Sequence, residues 1–145
     1  MGEVQNIIDT AWSHVKVAFS EICRVKHVEE PNYDMGGPGV LNRLEYPAMV
    51  MSKDYVRQET SAAMGEELQV ALDLVVVHTA MESQLLSDNG MAYIDALLEM
   101  IRDDHTFGGA CHIGEFVATD FFGDRELDQV EILKMAILLR KEVQI

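Results

Sequence analysis

Apolar residues at Val4, Ile7, Ile8, Ala11, Val15, Ala18 and Phe19 recur at steps of three and four, the spacing of one helix face. The pattern predicts an amphipathic helix from Glu3 to Phe19, with Trp12 beside the stripe. From Glu21 to Glu29 the spacing turns strand-like, with Ile22, Val25 and Val28 among Cys23, Arg24 and Lys26; a continuing helix is the alternative, and Pro31 ends either. A strict alternation of Leu68, Val70, Leu72, Leu74, Val76 and His78 predicts a strand over Glu67–Thr79 with these side chains on one face. Its expected partner is Tyr46–Lys53, where Pro47 suits a strand start or edge, and residues 54–66 read as an irregular hairpin connection. Ser87–Gly90 offers N-cap candidates for a second helix carrying Met91, Ile94, Leu97, Leu98 and Ile101 and stopping near Asp103. Ala110–Asp120 and Leu127–Val143 then read as strands joined by a turn over Phe121–Arg125.

These elements predict an α+β domain, a mostly antiparallel sheet with two helices packed on it, in the order α-β-β-β-α-β-β. The closing strand is apolar on both faces between Val130 and Leu139, so one face must meet something other than solvent. Prolines 31 and 38 and glycines 36, 37 and 39 make the stretch near 30–43 a long loop inside one domain spanning 1–145. A chain of this length supports one core.

Composition narrows the function classes. No apolar run approaches the roughly 18 residues of a membrane span, and the first residues lack a basic region followed by an apolar stretch, so no secretory signal is expected. Cys23 and Cys111 fall in strand-like segments and are expected to be free thiols in a reducing cytoplasm. With 25 acidic against 11 basic side chains the net charge is −14, which opposes the phosphate contacts that drive nucleic-acid binding.

The candidate chemistry is thin. Asp103-Asp104-His105 lacks the spacing of metal ligands, Cys23 with His27 has no matching second pair, and neighbouring strand residues Cys111 and His112 would point to opposite faces. No metal and no cofactor are expected. Cys111 or Ser83 with His78 or His112 supplies residue types for a nucleophile but no nucleophile motif, so no catalytic residue is assigned. Gly36-Gly37-Pro38-Gly39 lacks the Lys-Ser/Thr of a phosphate-binding loop, and Pro38 removes an amide donor. Met81, Met91 and Met135 fit core positions, whereas Met49, Met51 and Met64 are harder to place inside. Two-faced strands without catalytic chemistry make assembly the leading class of function.

The order of elements and several short motifs resemble the tail terminator and tail-completion proteins of long-tailed bacteriophages. The features that carry the resemblance are the N-terminal helix, Tyr46-Pro47-Ala48 opening a strand after a variable loop, and Gly65-Glu66-Glu67 leading into the Val70–His78 strand. They continue with a helix ending at Asp103-Asp104, the run Thr106-Phe107-Gly108-Gly109, and a closing strand ending Leu138-Leu139-Arg140. Many relatives carry leucine where this chain has Phe107. The resemblance implies a structural virion protein, not an enzyme, assembled in the host cytoplasm. It would form a ring, expected to be hexameric, at the head-proximal end of the tail tube. Its partners would be further copies of itself, the tail tube protein and a neck connector, with DNA passing through the lumen without specific binding. It further suggests Thr106, Phe107, Gly108, Gly109, Met49, Met51, Val130 and Ile132 as assembly-interface candidates, and Asn32, Tyr33, Asp34, Met35, Gly36 and Gly37 as a partner-contact loop. Asp54, Glu59, Glu66 and Glu67 are candidates to face the lumen. A neck or head-completion connector is the alternative reading, and a small cytosolic enzyme or ligand-binding domain a further one.

Overall fold

A computed structural model describes residues 2–33, 46–61, 65–123 and 130–143. The amphipathic stripe does not stop at Phe19. Ala11, Val15, Phe19 and Cys23 continue it at every fourth position, all fully buried, and the helix α1 runs Glu3–Val25. The strand-like spacing over Glu21–Glu29 is therefore resolved in favour of its helical alternative. His27 ends α1 in the left-handed conformation, φ 58. There the Val28 N–H donates to Cys23 O at 3.0 Å and the His27 N–H to Arg24 O at 3.3 Å, closing off two terminal carbonyls.

Strand β1 (Ala48–Ser61) and strand β2 (Gly65–Thr79) form a hairpin much longer than the apolar alternation suggests, so residues 54–61 belong to a strand and not to an irregular connection. Tyr55–Ser61 pairs in register with Gly65–Ala71, after a bulge between Lys53 and Tyr55. Helix α2 (Ser83–Asp103) begins one turn before the Ser87 cap candidate, and no side chain caps it. Its buried stripe is Leu86, Gly90, Tyr93, Ala96, Leu97 and Met100. Of the methionines whose positions suit core packing or an interaction surface equally well, Met81 and Met91 are exposed and Met135 is buried. Strands β3 (Ile113–Gly123) and β4 (Val130–Val143) close the fold, β3 carrying its own bulge between Phe116 and Ala118.

The order is α-β-β-α-β-β, an α+β fold with one strand fewer than expected because the Glu21–Glu29 region is mostly helix. The sheet order is β1-β2-β4-β3 with every neighbouring pair antiparallel, so β1 and β3 are the edges. On one face Met49, Leu72, Leu74, Val76, Leu133, Met135, Ile137 and Leu139 meet the buried stripes of both helices in a single core. Tyr93 reaches from α2 to donate its hydroxyl proton to Glu29 O at 2.7 Å, tying the end of the α1 segment to the second helix.

Candidate functional site

The connector between α2 and β3 is built from its own hydrogen bonds. The Asp104 carboxylate accepts from Thr106 N at 2.9 Å, Thr106 Oγ1 at 2.5 Å and Gly108 N at 3.2 Å, while Thr106 Oγ1 accepts from Gly109 N at 3.1 Å. These bonds, the Thr106 hydroxyl first, hold the Asp104 carboxyl below its ordinary range. Phe107, Gly108 and Gly109 follow at positive φ (52, 73 and 88), and this turns the Phe107 ring inward. Phe107 is wholly buried, edge-on to His14, and a Cβ at Gly114 would overlap its ring. A side chain fully enclosed by its own protomer cannot pack against a neighbour, so Phe107 is corrected from interface candidate to core anchor. Thr106 is half-buried within the turn, and Gly108 and Gly109 are exposed.

Met49 is likewise corrected, being wholly buried on the helix-facing side of β1, and Met51 packs partly buried against the same core. Asn32 and Tyr33 anchor the base of the long loop. Asn32 bridges to Ala48, with Met49 N–H donating to Asn32 O at 2.8 Å, and Tyr33 shares a 2.8 Å hydrogen bond with Ser20 and packs edge-on against Trp12. Asp34, Met35, Gly36 and Gly37 lie outside the described residues, as does Met64.

Val130 and Ile132 stand elsewhere, on the sheet face turned away from the helices. Residues paired across antiparallel strands share a face, and the register lays out this face row by row. Ala48, Val77, Ile132 and Phe122 form an apolar row across all four strands. Next come Val50, Val75, Lys134 and Asp120, then Ser52, Asp73, Ala136 and Ala118. No described helix covers this face. Its central members are shielded, but Phe122 is 51% exposed; Phe121, also exposed, lies opposite Leu133 on the helix-side face of the hairpin, and Val117 is exposed at the β3 bulge.

The far end of the same face is a polar belt. Gln69, almost fully buried, accepts from Arg57 Nε at 2.8 Å and donates to Glu59 and Glu67 at 3.1 and 2.7 Å. Arg140 continues the belt, reaching Glu67 at 2.9 Å and Glu115 at 3.0 Å, so side chains from all four strands are linked. The hydrogen bonds from Gln69 and Arg140 draw the Glu67 carboxyl below its usual range. Beside the belt, Glu67, His112, Ile113, Arg140 and Glu142 line a depression of about 260 Å³. Between belt and apolar row sits Asp73, mostly buried, its carboxyl pushed up by burial and restrained by Lys134 at 3.8 Å.

Of the lumen candidates, Glu59 and Glu67 lie in this belt as paired groups, and Asp54 is exposed at the β1 bulge. Glu66 falls on the helix-side face, hydrogen-bonded to Gln58. Sequence reasoning missed Arg57, Gln69, Glu115 and Phe122. Only the register, which sets Gln69 opposite both Arg57 and Arg140, brings the belt together.

The nucleophile candidates are quiescent. Cys23 lies in α1 and Cys111 in the turn before β3, neither in a strand as expected. Burial pushes the Cys23 thiol up to about 12 and that of Cys111 to about 11, far from a reactive thiolate at neutral pH. The Cys111 thiol donates to Thr106 O at 3.5 Å, and His112 Nδ1 is engaged by the Glu142 N–H at 2.9 Å. Among the described residues no group of His, Cys, Asp and Glu side chains could hold a metal ion, and no helix is long and apolar enough to cross a membrane. No protein-family model and no curated protein matches this chain.

Proposed function

We propose that this protein is a ring-forming structural component of a phage tail, a tail terminator that caps the head-proximal end of the tail tube. The observation that carries the reading is exposed Phe122 beside Ile132 on a sheet face that no described helix covers, with exposed Phe121 on the other face of the same hairpin and exposed Val117 at the β3 bulge. Exposed apolar area gathered in one place marks a contact surface, and the resemblance of the element order and the Thr106–Gly109 run to tail terminators supplies the kind of assembly.

The contact uses the sheet face and hairpin rather than the strand edges. Both edge strands are bulged, β1 between Lys53 and Tyr55 and β3 between Phe116 and Ala118, and a bulged edge resists pairing with another chain. A patch at one side of the sheet that meets a different surface on the next copy is a heterologous contact, and such contacts close into rings when the rotation between copies allows it. The acidic character of the chain keeps the passing DNA from adhering. The tail tube protein and a neck connector are the partners at the two ring faces.

Electron microscopy of phage particles made without this protein tests the reading. Overlong tails of uncontrolled length are expected. Tails of normal length detached from heads would instead place the protein in the neck, and intact particles would remove it from the virion.

A further inference from the structure

His78 is the last core-facing residue of β2, and its imidazole is almost completely buried. Its Nε2 lies 2.9 Å from Glu131 Oε1 on the neighbouring strand β4. A carboxylate oxygen accepts, so Nε2 carries the proton of the neutral ring and Nδ1 is left as a bare acceptor. That Nδ1 is buried and has no hydrogen-bond partner. The pair presses on α2 at a point where the helix has no side chain: a Cβ at Gly90 would overlap Glu131 Oε1 and come within 3.4 Å of His78 Nε2. One turn later, Tyr93 sets its ring edge-on to the imidazole at 5.3 Å. A glycine inside a helix weakens it relative to alanine, and here it makes room for a carboxylate that bridges β4 to β2 beneath α2.

We propose that His78 and Glu131 form an acid-sensitive latch: neutral His78 holds Glu131 in the Gly90 notch and pins the first half of α2 to the sheet, and protonation at Nδ1 releases it. The added proton creates a buried N–H donor without an acceptor, and such a group is costly to keep inside. The attraction of the Glu131 carboxylate for a charged imidazole opposes release, but burial is the larger influence and lowers the affinity of His78 for a proton. Besides Glu131, the titratable groups gathered about Tyr93 are Glu29 and Tyr33 beyond the end of α1 and Cys23 within it. Tyr93 on α2 and Cys23 behind it on α1 are both pushed strongly upward by burial and stay neutral throughout the relevant range. A histidine whose folded affinity is depressed contributes stability that is fully present above about pH 6.5, its unfolded value, and lost as pH falls toward the folded value.

Amide hydrogen exchange of the full chain between pH 7.5 and pH 5, corrected for the intrinsic rate, tests the latch. Protection of α2 amides around Leu86–Tyr93 should fall by up to about tenfold per pH unit below about pH 6.5, the limit set by one proton. Central amides of β2 and β4, which open only with the whole chain, should fall by no more than the same factor and stay better protected than α2 throughout. The His78→Gln variant should show no such fall. Nitrogen NMR of the wild-type imidazole gives a readout that does not depend on the variant folding, and a neutral ring with its proton on Nε2 at pH 7 is expected. Constant α2 protection in the wild type, the same fall in His78→Gln, or a charged His78 ring at pH 7 would each overturn the proposal.

Discussion

Phe107 shows how a single side chain can be misread from its neighbours. Set between Thr106 and two glycines, it looks like a loop residue offered to a partner, yet three consecutive positive-φ residues swing it into the core against Gly114. Its truncation to Ala should cost roughly 3–5 kcal/mol of unfolding free energy, as for a buried aromatic, whereas Phe107→Leu should lose well under half of that. Gly114→Ala pushes on the same ring from the opposite side and should cost about 1–3 kcal/mol through overpacking. Denaturant unfolding of the three variants orders these effects. Equal stability of wild type and Phe107→Ala would mean that the ring is not a core anchor. A glycine in the otherwise regular strand start at Ile113-Gly114 is the sequence signal for this close approach, but which side chain fills the space depends on backbone angles that spacing does not encode.

At the scale of elements, the apolar rhythms of α1, α2, β2 and β4 were readable because each has one continuous core-facing stripe. Boundaries were not. The outer half of the β1–β2 hairpin, Arg57–Ser61 and Gly65–Glu67, carries polar side chains on both strands and is held by cross-strand pairing, including the Arg57–Gln69–Glu59 bonds, with no hydrophobic period to announce it. The end of α1 was hidden because His27, not glycine, takes the left-handed position. His27→Gly relieves that conformation, which costs a side chain about 1–2 kcal/mol, while giving the unfolded chain more freedom. A net gain of up to about 1 kcal/mol is expected in thermal or denaturant unfolding.

The α2–β3 turn carries an acid dependence of opposite origin to that of the buried histidine. Asp104 has its carboxyl lowered by hydrogen bonds from Thr106 and Gly108, so its contribution is present at neutral pH and lost as pH falls below the ordinary carboxylate value, about 4. Asp104→Asn, which cannot titrate, should be less stable than wild type at pH 7 by about 1 kcal/mol, and the gap should narrow between about pH 4 and about pH 2. A gap independent of pH would separate the turn from the Asp104 charge.

For the whole molecule, the fold class was legible and the proposed contact surface was not. The surplus hydrophobicity of the last strand does lie on two faces, with Leu133, Met135, Ile137 and Leu139 on one side and Ile132, Ala136 and Leu138 on the other. Spacing alone does not show that Met49 and Phe107 belong to the protomer core, nor that Phe121 and Phe122 remain exposed on the hairpin, because these outcomes depend on strand register and on the backbone angles of the α2–β3 turn. Copies carrying a net charge of −14 repel one another, and salt screens that repulsion. Assembly through an apolar patch should therefore strengthen when ionic strength rises from about 0.05 M to about 0.5 M, the range over which the screening length shortens several-fold.

We propose that copies of this chain assemble through the hairpin and the adjoining sheet face. Native mass spectrometry across a concentration series, comparing wild type with Ile132→Glu, tests it most directly. A wild-type closed oligomer of ring mass, expected at six copies, together with a folded but monomeric Ile132→Glu protein, is the predicted result. A wild type that stays monomeric at every concentration, or an oligomer untouched by the charge at Ile132, would contradict it.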